Sequence, residues 1–423
     1  MRAPDHGRIR TSLAGADWLV RTETQTLLAL LRTAGHTARV VGGCVRNALL
    51  GRPVSDIDIA TTARPEAVMA VAEAAHLNAV PTGIEHGTVT VIVSRVPYEV
   101  TTLRRDVATD GRRAVVAFTE DWSLDAGRRD FTMNALYCDA DGTVFDPLGG
   151  LDDLLARRVR FIGDADTRIR EDYLRILRFF RFHAQYTSDA LDPAGLAACA
   201  RQREGLATLS GERIRQELVR IVIAPGCVHA IQAACESGIV TTLLGVAPHP
   251  QLFERLVAID VLTGAAPDPA LRVAMLTTST SEDAARINAR LKLSAAEREA
   301  LTDAASCHPL GQALTSDAAA RRWLYTSRSN DRFRSRIRAA WAHSGDATDD
   351  SHWSRLHDLP ERWPRPDFPL RGADVLALGM SGGPAVGAIL ARVEAWWIET
   401  DFPNDRKVLL DRLAAEAAVI SSP

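Results

Sequence analysis

Up to about residue 150, short β-branched runs alternate with stretches of helical period. The runs are Ala38 to Val41, Asp56 to Ala60, Thr88 to Val93 and Glu99 to Leu103, and their lengths and residue types predict strands. The pair Thr88 to Ser94 and Tyr98 to Leu103 predicts an antiparallel hairpin closed by Arg95, Val96 and Pro97. Beyond about residue 151 the strand signals fade, alanine, leucine and arginine dominate, and Pro/Gly pairs punctuate segments of helical length. The expected fold class is therefore α+β, a mixed sheet with helices followed by an all-helical remainder. Breaks at 146–150, 224–226 and 359–369 divide the chain into an N-terminal extension (1–24), an α/β head (25–150), a first helical segment (151–226) and a helical body and tail (227–423).

Within the strand Ser55 to Thr61, carboxylates alternate with isoleucines. A period of two puts Asp56 and Asp58 on one face and Ile57 and Ile59 in the core. Two hard oxygen ligands on a rigid strand suit Mg²⁺, which takes one or two carboxylates and leaves its other positions to water and substrate phosphates. Just upstream, Val40 to Gly51 reads as strand, Gly42-Gly43 turn and short helix. Such a turn lets backbone approach a phosphate, and Arg46 in the first helical turn adds a fixed positive charge. Glu99, in the second hairpin strand, is either a third carboxylate of the site or a satisfied strand-edge residue.

The composition of the 423 residues, 46% hydrophobic and 24% charged, excludes a disordered or fibrous chain. A net charge of −3 excludes a protein that is basic all over. It conceals an imbalance, because only Lys292 and Lys407 are lysines and 48 of the 50 cations are arginine. Arginine in such excess is either a compositional habit or a choice for bidentate contacts to phosphates and base edges. None of the six cysteines forms a Cys-x-x-Cys pair, and Cys227, His229 and Cys235 fit no zinc spacing. No apolar run reaches the length of a membrane span, so the expected compartment is the cytoplasm, with no membrane partner and no obligatory protein partner.

In the stretch Glu171 to Phe182, Asp172, Arg175, Arg178 and Arg181 recur every three residues, with leucines and phenylalanines between them. That spacing predicts a helix with one charged flank and a buried remainder. A solvated salt-bridge stripe is the simpler account. The other account is base recognition, in which an ionised aspartate only accepts and an arginine only donates, so a mutually held pair offers acceptor beside donor. Cytosine and adenine complement that order. Guanine and uracil present the reverse order and would leave buried polar groups unpaired.

Five motifs in order, Gly42-Gly43-x-Val45-Arg46, Asp56-x-Asp58, Arg128 to Ala135, Glu171-Asp172-x-x-Arg175 and Gly211 to Glu217, resemble those of the class II tRNA nucleotidyltransferases and bacterial poly(A) polymerases. The segments 101–113 and 171–178 look most like the mitochondrial and α-proteobacterial CCA-adding enzymes. The resemblance implies a polymerase-β-type head, a helical neck holding the base, and a body and tail gripping tRNA. It implies that Gly43 and Arg46 contact the triphosphate, that Asp56 and Asp58 hold the metal and that Arg129 lies near the ribose. It further implies that Asp172 and Arg175 read the base, with Arg178 and Arg181 completing the pocket, and that 104–118 form the loop used in switching from C to A. The implied substrates are CTP, ATP and the tRNA 3′ end. The alternatives are a poly(A) polymerase, a CC-only or A-only enzyme, and a non-catalytic tRNA-binding protein. One departure from the family pattern is Asn47, where many members carry aspartate.

Overall fold

In a computed structural model that describes residues 12–110, 113–187, 190–307, 314 and 316–421, the β-branched runs form the expected sheet. Its strands are β1 Ala38–Val41, β2 Asp58–Thr61, β3 Asn78–Gly83, β4 Thr88–Val93, β5 Val96–Thr102, β8 Tyr137–Cys138 and β9 Val144–Phe145. They lie in the order β3-β4-β5-β2-β1-β8-β9. Only β2 and β5 run parallel, so the sheet is mixed, as expected. A separate two-stranded ribbon pairs β6 Arg104–Asp110 with β7 Arg113–Phe118. It falls where the C-to-A switching loop was expected, and residues 111 and 112 lie outside the described residues, as do the first eleven of the N-terminal extension.

Burial alternates along the hairpin strands: Val89, Val91 and Val93 of β4 and Tyr98 and Val100 of β5 are buried. The helices Thr22–Thr33 and Pro65–Ala74 bring Leu27, Leu28, Leu31, Val68 and Ala72 into the same core. The hairpin turn differs from the expected one. Ser94 and Arg95 both have positive φ (48° and 73°), a two-residue turn whose twist matches the strands, and Val96 and Pro97 already belong to β5. Pro97 pairs with Ile92 of β4, while pairing to β2 begins only at Glu99. Its missing N–H therefore removes no bond on the β2 side.

From Gly150 onward every named element is helical. The chain forms two compact units, one running to Val246 with Arg290–Lys292, the other comprising Ala247–Ala289 and Leu293–Pro423. In the first, Phe131 packs on Phe161 and Phe182 at ring centroid distances of 4.9 and 5.3 Å, and Phe161 stacks on Phe179 at 5.5 Å. This aromatic cluster fixes the Arg128–Asp130 segment against the helix Leu174–Tyr186. In the second unit, buried Phe253, Ile337 and Trp341 form part of the core. A tail cluster gathers Ile389, Val393 and Trp397 of the helix Pro384–Glu399 with Leu409 and Leu413. Val386 and Leu390 of the same helix lie partly buried at its rim. No helix among the described residues is long and apolar enough to cross a membrane.

Candidate active site

Strand register brings the glycine turn to the carboxylates. β1 ends at Val41, which pairs with Asp58 of β2, and Asp58 pairs on its other side with Glu99 of β5. Immediately after β1 the chain turns at Gly42, whose φ of 77° is open to glycine and strained for other residues. A Cβ there would stand 3.6 Å from Nη1 of Arg129, so glycine also permits a close arginine. The helix Gly43–Leu49 follows, carrying Arg46.

A cleft of about 500 Å³ opens beside this turn, lined by Gly42, Gly43, Arg46, Asp58, Arg128, Arg129, Asp130, Asn134, Asp172, Leu174, Arg175, Arg178, Phe182 and Arg213. Seven of the ten residues singled out in the sequence therefore share one cavity: Gly43, Arg46, Asp58, Arg129, Asp172, Arg175 and Arg178. Asp56, Glu99 and Arg181 do not line it.

Asp58 is half-buried at the start of β2. Burial, then the neighbouring Glu99, push its carboxyl up to about 6; Arg129 opposes this and Asp56 adds to it. A carboxyl raised by neighbouring carboxylates marks a place that favours a cation. Asp56 lies just before the strand, exposed, and takes a hydrogen bond from Ser55 Oγ at 2.9 Å. Glu99 is beside Asp58 in register but exposed. Among the described residues no group of three or more His, Cys, Asp or Glu is disposed to hold a metal; an ion held by aspartates alone would take its other positions from water and substrate oxygens.

The geometry corrects the expectation of a mutually held Asp172 and Arg175. Asp172 is not in the helix: it caps the preceding one in extended conformation, and the next helix begins at Leu174. Its Oδ2 accepts from Arg213 Nη2 at 2.8 Å and its Oδ1 from the Leu174 N–H at 3.1 Å. Arg175 is instead held by Glu171 at 2.6 Å and by the carbonyls of Arg168 and Arg128 at 2.9 and 3.1 Å. The break between the helices turns the Asp172 carboxylate away from the i+3 position, so acceptor and donor reach the cleft on separate anchors.

Arg178 stays in the cleft, bonded through Nε to Oδ2 of Asp130 at 2.7 Å. Burial alone would raise the Asp130 carboxyl, but Arg178 and the Asn134 amide hold it below the usual range. Arg181 departs from the expected role. It is buried beneath the surface in an ion pair with Glu217 at 2.5 Å and rests 4.3 Å from the Phe182 ring centre.

Sequence reasoning missed three residues that organise this site. Asp125 accepts from Arg128, Arg129 and the Tyr137 hydroxyl at 3.0, 3.2 and 2.8 Å. Asp130 ties the Arg128–Ala135 motif to Arg178, and Arg213 holds Asp172. The signal for the last two lay in their motifs, but their partners stand 48 and 41 residues away, and no local period reveals such pairs.

A mixed sheet bearing paired carboxylates next to a glycine turn and an arginine-lined cleft defines a nucleotidyltransferase. Residues 38–160 match the family described as "Poly A polymerase head domain", and residues 190–254 match that described as "Probable RNA and SrmB- binding site of polymerase A". The chain is 33% identical to the mitochondrial CCA tRNA nucleotidyltransferase 1 of Homo sapiens, covering 91% of this chain and 88% of that protein. It is 38% identical to the CCA-adding enzyme of Geobacillus thermodenitrificans over 55% of this chain and 57% of that one. The crystal structure of the Bacillus stearothermophilus CCA-adding enzyme in complex with CTP superposes with a TM-score of 0.70 at 26% identity, covering 94% of this chain and 98% of that one. The chain belongs to the CCA-adding tRNA nucleotidyltransferases.

Proposed function

We infer that this chain adds C, C and A to the 3′ end of tRNA, taking CTP and ATP and releasing pyrophosphate. The observation that carries the residue roles is the shared cleft, in which Asp58, the glycine turn, Arg46, Arg129, Asp172 and Arg175 meet. Asp56 and Asp58 are the metal ligands of this reading, one just before β2 and one at its start, and Mg²⁺ is the ion that two such carboxylates suit. A divalent cation bound there lowers the pKa of the primer 3′-hydroxyl and offsets charge on the leaving pyrophosphate. Glu99 acts beside them as a neighbouring charge.

The remaining work belongs to the arginines and to Asp172. Gly43 and Arg46 receive the triphosphate, and Arg129, held by Asp125, lies toward the ribose. Asp172 accepts from the exocyclic amino group of cytosine or adenine, and Arg175 donates to the adjacent ring nitrogen. With guanine or uracil both contacts become like against like, a mismatch of several kcal/mol or about 10⁴-fold in rate where the groups are buried. Arg178 completes the pocket wall through Asp130, whereas Arg181 acts through the helix it stabilises. Head (25–150), neck (151–226) and body with tail (227–423) divide the labour into chemistry, base selection and tRNA grip. Among the described residues five cysteines are free thiols, four of them buried, which supports a reducing compartment, and the cytoplasm is the compartment of this reading.

The test incubates the protein with tRNA ending before its CCA and with each nucleotide triphosphate singly and in pairs, then sequences the products. Addition of C, C and A and a halt is expected. Long A tails would instead make it a poly(A) polymerase, and a halt after CC a partial enzyme.

A further inference from the structure

Six arginines line the active-site cleft: Arg46, Arg128, Arg129, Arg175, Arg178 and Arg213. Five of them hold a carboxylate: Arg128 and Arg129 share Asp125, and Arg175, Arg178 and Arg213 pair with Glu171, Asp130 and Asp172. Arg46 makes no ion pair among the described residues, although it is only 7% exposed. Its Nη1 donates to Oδ1 of Asn134. Its Nη2 donates to the Tyr186 hydroxyl at 2.7 Å and to Oδ1 of Asn47 at 3.0 Å, and its Nε to the same Asn47 oxygen at 3.2 Å. Its guanidinium carbon stands 4.3 Å from the ring centre of Tyr186 and 5.0 Å from that of Phe182. Every partner is neutral.

A buried cation without a direct ion pair is costly; the Asp130 carboxylate acts on Arg46 only from beyond Asn134, to which it is bonded at 2.9 Å, whereas each of the other cleft arginines holds a carboxylate directly. The holding groups are specific. Asn47 Oδ1 also accepts from the Tyr186 hydroxyl at 3.0 Å, while its amide nitrogen donates to the Pro53 carbonyl at 3.2 Å, which decides that oxygen and not nitrogen faces Arg46. Tyr186 comes from the last turn of the helix Leu174–Tyr186, so the helical segment orients a residue of the glycine-turn helix.

We propose that Asn47 and Tyr186 are positioning residues that hold Arg46 in place without neutralising it, so that its whole charge meets the triphosphate of the incoming nucleotide. This rests on Arg46 being the triphosphate contact. An aspartate at position 47, as many members of the family carry, would supply an oxygen in the same place and add a negative charge beside Arg46, whereas the asparagine of this chain supplies the oxygen alone.

The experiment uses the full chain and measures binding of CTP and of inorganic tripolyphosphate, melting temperature, and the ratio of C to G and U incorporation. Asn47→Asp is expected to weaken CTP and tripolyphosphate alike by about tenfold, the worth of roughly one charge-assisted bond, while the melting temperature holds or rises. Tyr186→Phe is expected to weaken both by about threefold to fivefold, on the scale of one hydrogen bond. Base selection should not change in either variant, because the base edge is held by other residues. A purely structural role predicts the reverse pattern, with affinity lost only as far as melting temperature falls. Tripolyphosphate binding to Asn47→Asp as tight as to the wild type overturns the proposal. If Arg46→Ala leaves CTP and tripolyphosphate affinity unchanged, the triphosphate reading falls and the proposal with it, whatever the position 47 variant does.

Discussion

Asp58 concentrates the chemistry of the head in one carboxyl. Burial and the facing Glu99 push it up to about 6 from an ordinary 3.8, so the folded protein binds this proton more tightly than the unfolded chain. The cost to stability appears as pH rises from about 4 to about 6 and persists above. Asp58→Asn should therefore raise the stability of the metal-free protein at pH 7.5 by roughly 1–3 kcal/mol while abolishing nucleotide addition. Thermal melts without divalent ions and a primer-extension assay check both halves, and a variant that is less stable would show that the carboxyl is not under strain. Arg175 offers a second test at this scale. Three of its donor contacts go to Glu171 and to two backbone carbonyls, a set that a lysine ammonium cannot span in one plane. Arg175→Lys should raise misincorporation of G and U at least about tenfold, a loss of about 1.4 kcal/mol in discrimination, with tRNA affinity retained. Equal selectivity in variant and wild type would mean that Arg213, on the other anchor of Asp172, supplies the donor. The strand that carries Asp58 and the Gly42-Gly43 turn were legible as sequence because each is a local pattern, although the strand begins at Asp58 and leaves Asp56 outside it. Arg213 was not, because Asp172 stands 41 residues away and only the folded chain joins them, whereas Asp125 pairs with Arg128 and Arg129 three and four residues on, a local spacing that carries no motif of its own.

The helix Leu174–Tyr186 shows how far periodicity carries at the level of an element. Its existence and its buried Leu177 and phenylalanines follow from spacing, and the structure keeps them. Its start does not follow, since Asp172 stands outside it and the charged flank is therefore not one continuous face. Nor does spacing distinguish Arg178, which faces the cleft, from Arg181, which meets Glu217 in the interior one turn on. Glu217→Ala should strand the Arg181 charge and cost about 3–5 kcal/mol, whereas Arg181→Met with Glu217→Leu should recover most of that loss; denaturant unfolding of both variants checks it. The same helix carries His183, 3% exposed and 3.3 Å from His229. Burial, then the neighbouring imidazole, hold His183 down at about 4 from 6.5. The unfolded chain takes up this proton more readily, so the contribution is whole above about pH 6.5 and is lost as pH falls toward 4, by roughly 3 kcal/mol in all. Urea midpoints at pH 7 and pH 5 should differ in the wild type and converge in a His183→Gln variant.

Across the whole molecule, a substantial share of the 48 arginines serves to hold the protein together. In the second unit Asp260 is 2% exposed between Arg272 and Arg338, themselves 4% and 5% exposed. Arg332 binds Asp303 and Glu299, and Arg321 binds Asp401. In the first unit Arg158 and Arg160 share the buried Asp153. The guanidinium fork is used in these places as an internal cross-link, which lysine would make less well, so the arginine excess does not measure phosphate affinity. Binding of tRNA should accordingly depend on salt less steeply than the arginine count suggests. A slope of log affinity on log salt between about −3 and −5 is expected, equivalent to roughly four to six phosphates neutralised. A slope steeper than about −8 would mean that many of these pairs open to bind RNA. Charge-removing variants separate the two cases: Asp153→Asn should lower stability and leave the salt slope unchanged if Arg158 and Arg160 are cross-links, and should steepen the slope if freeing them adds phosphate contacts.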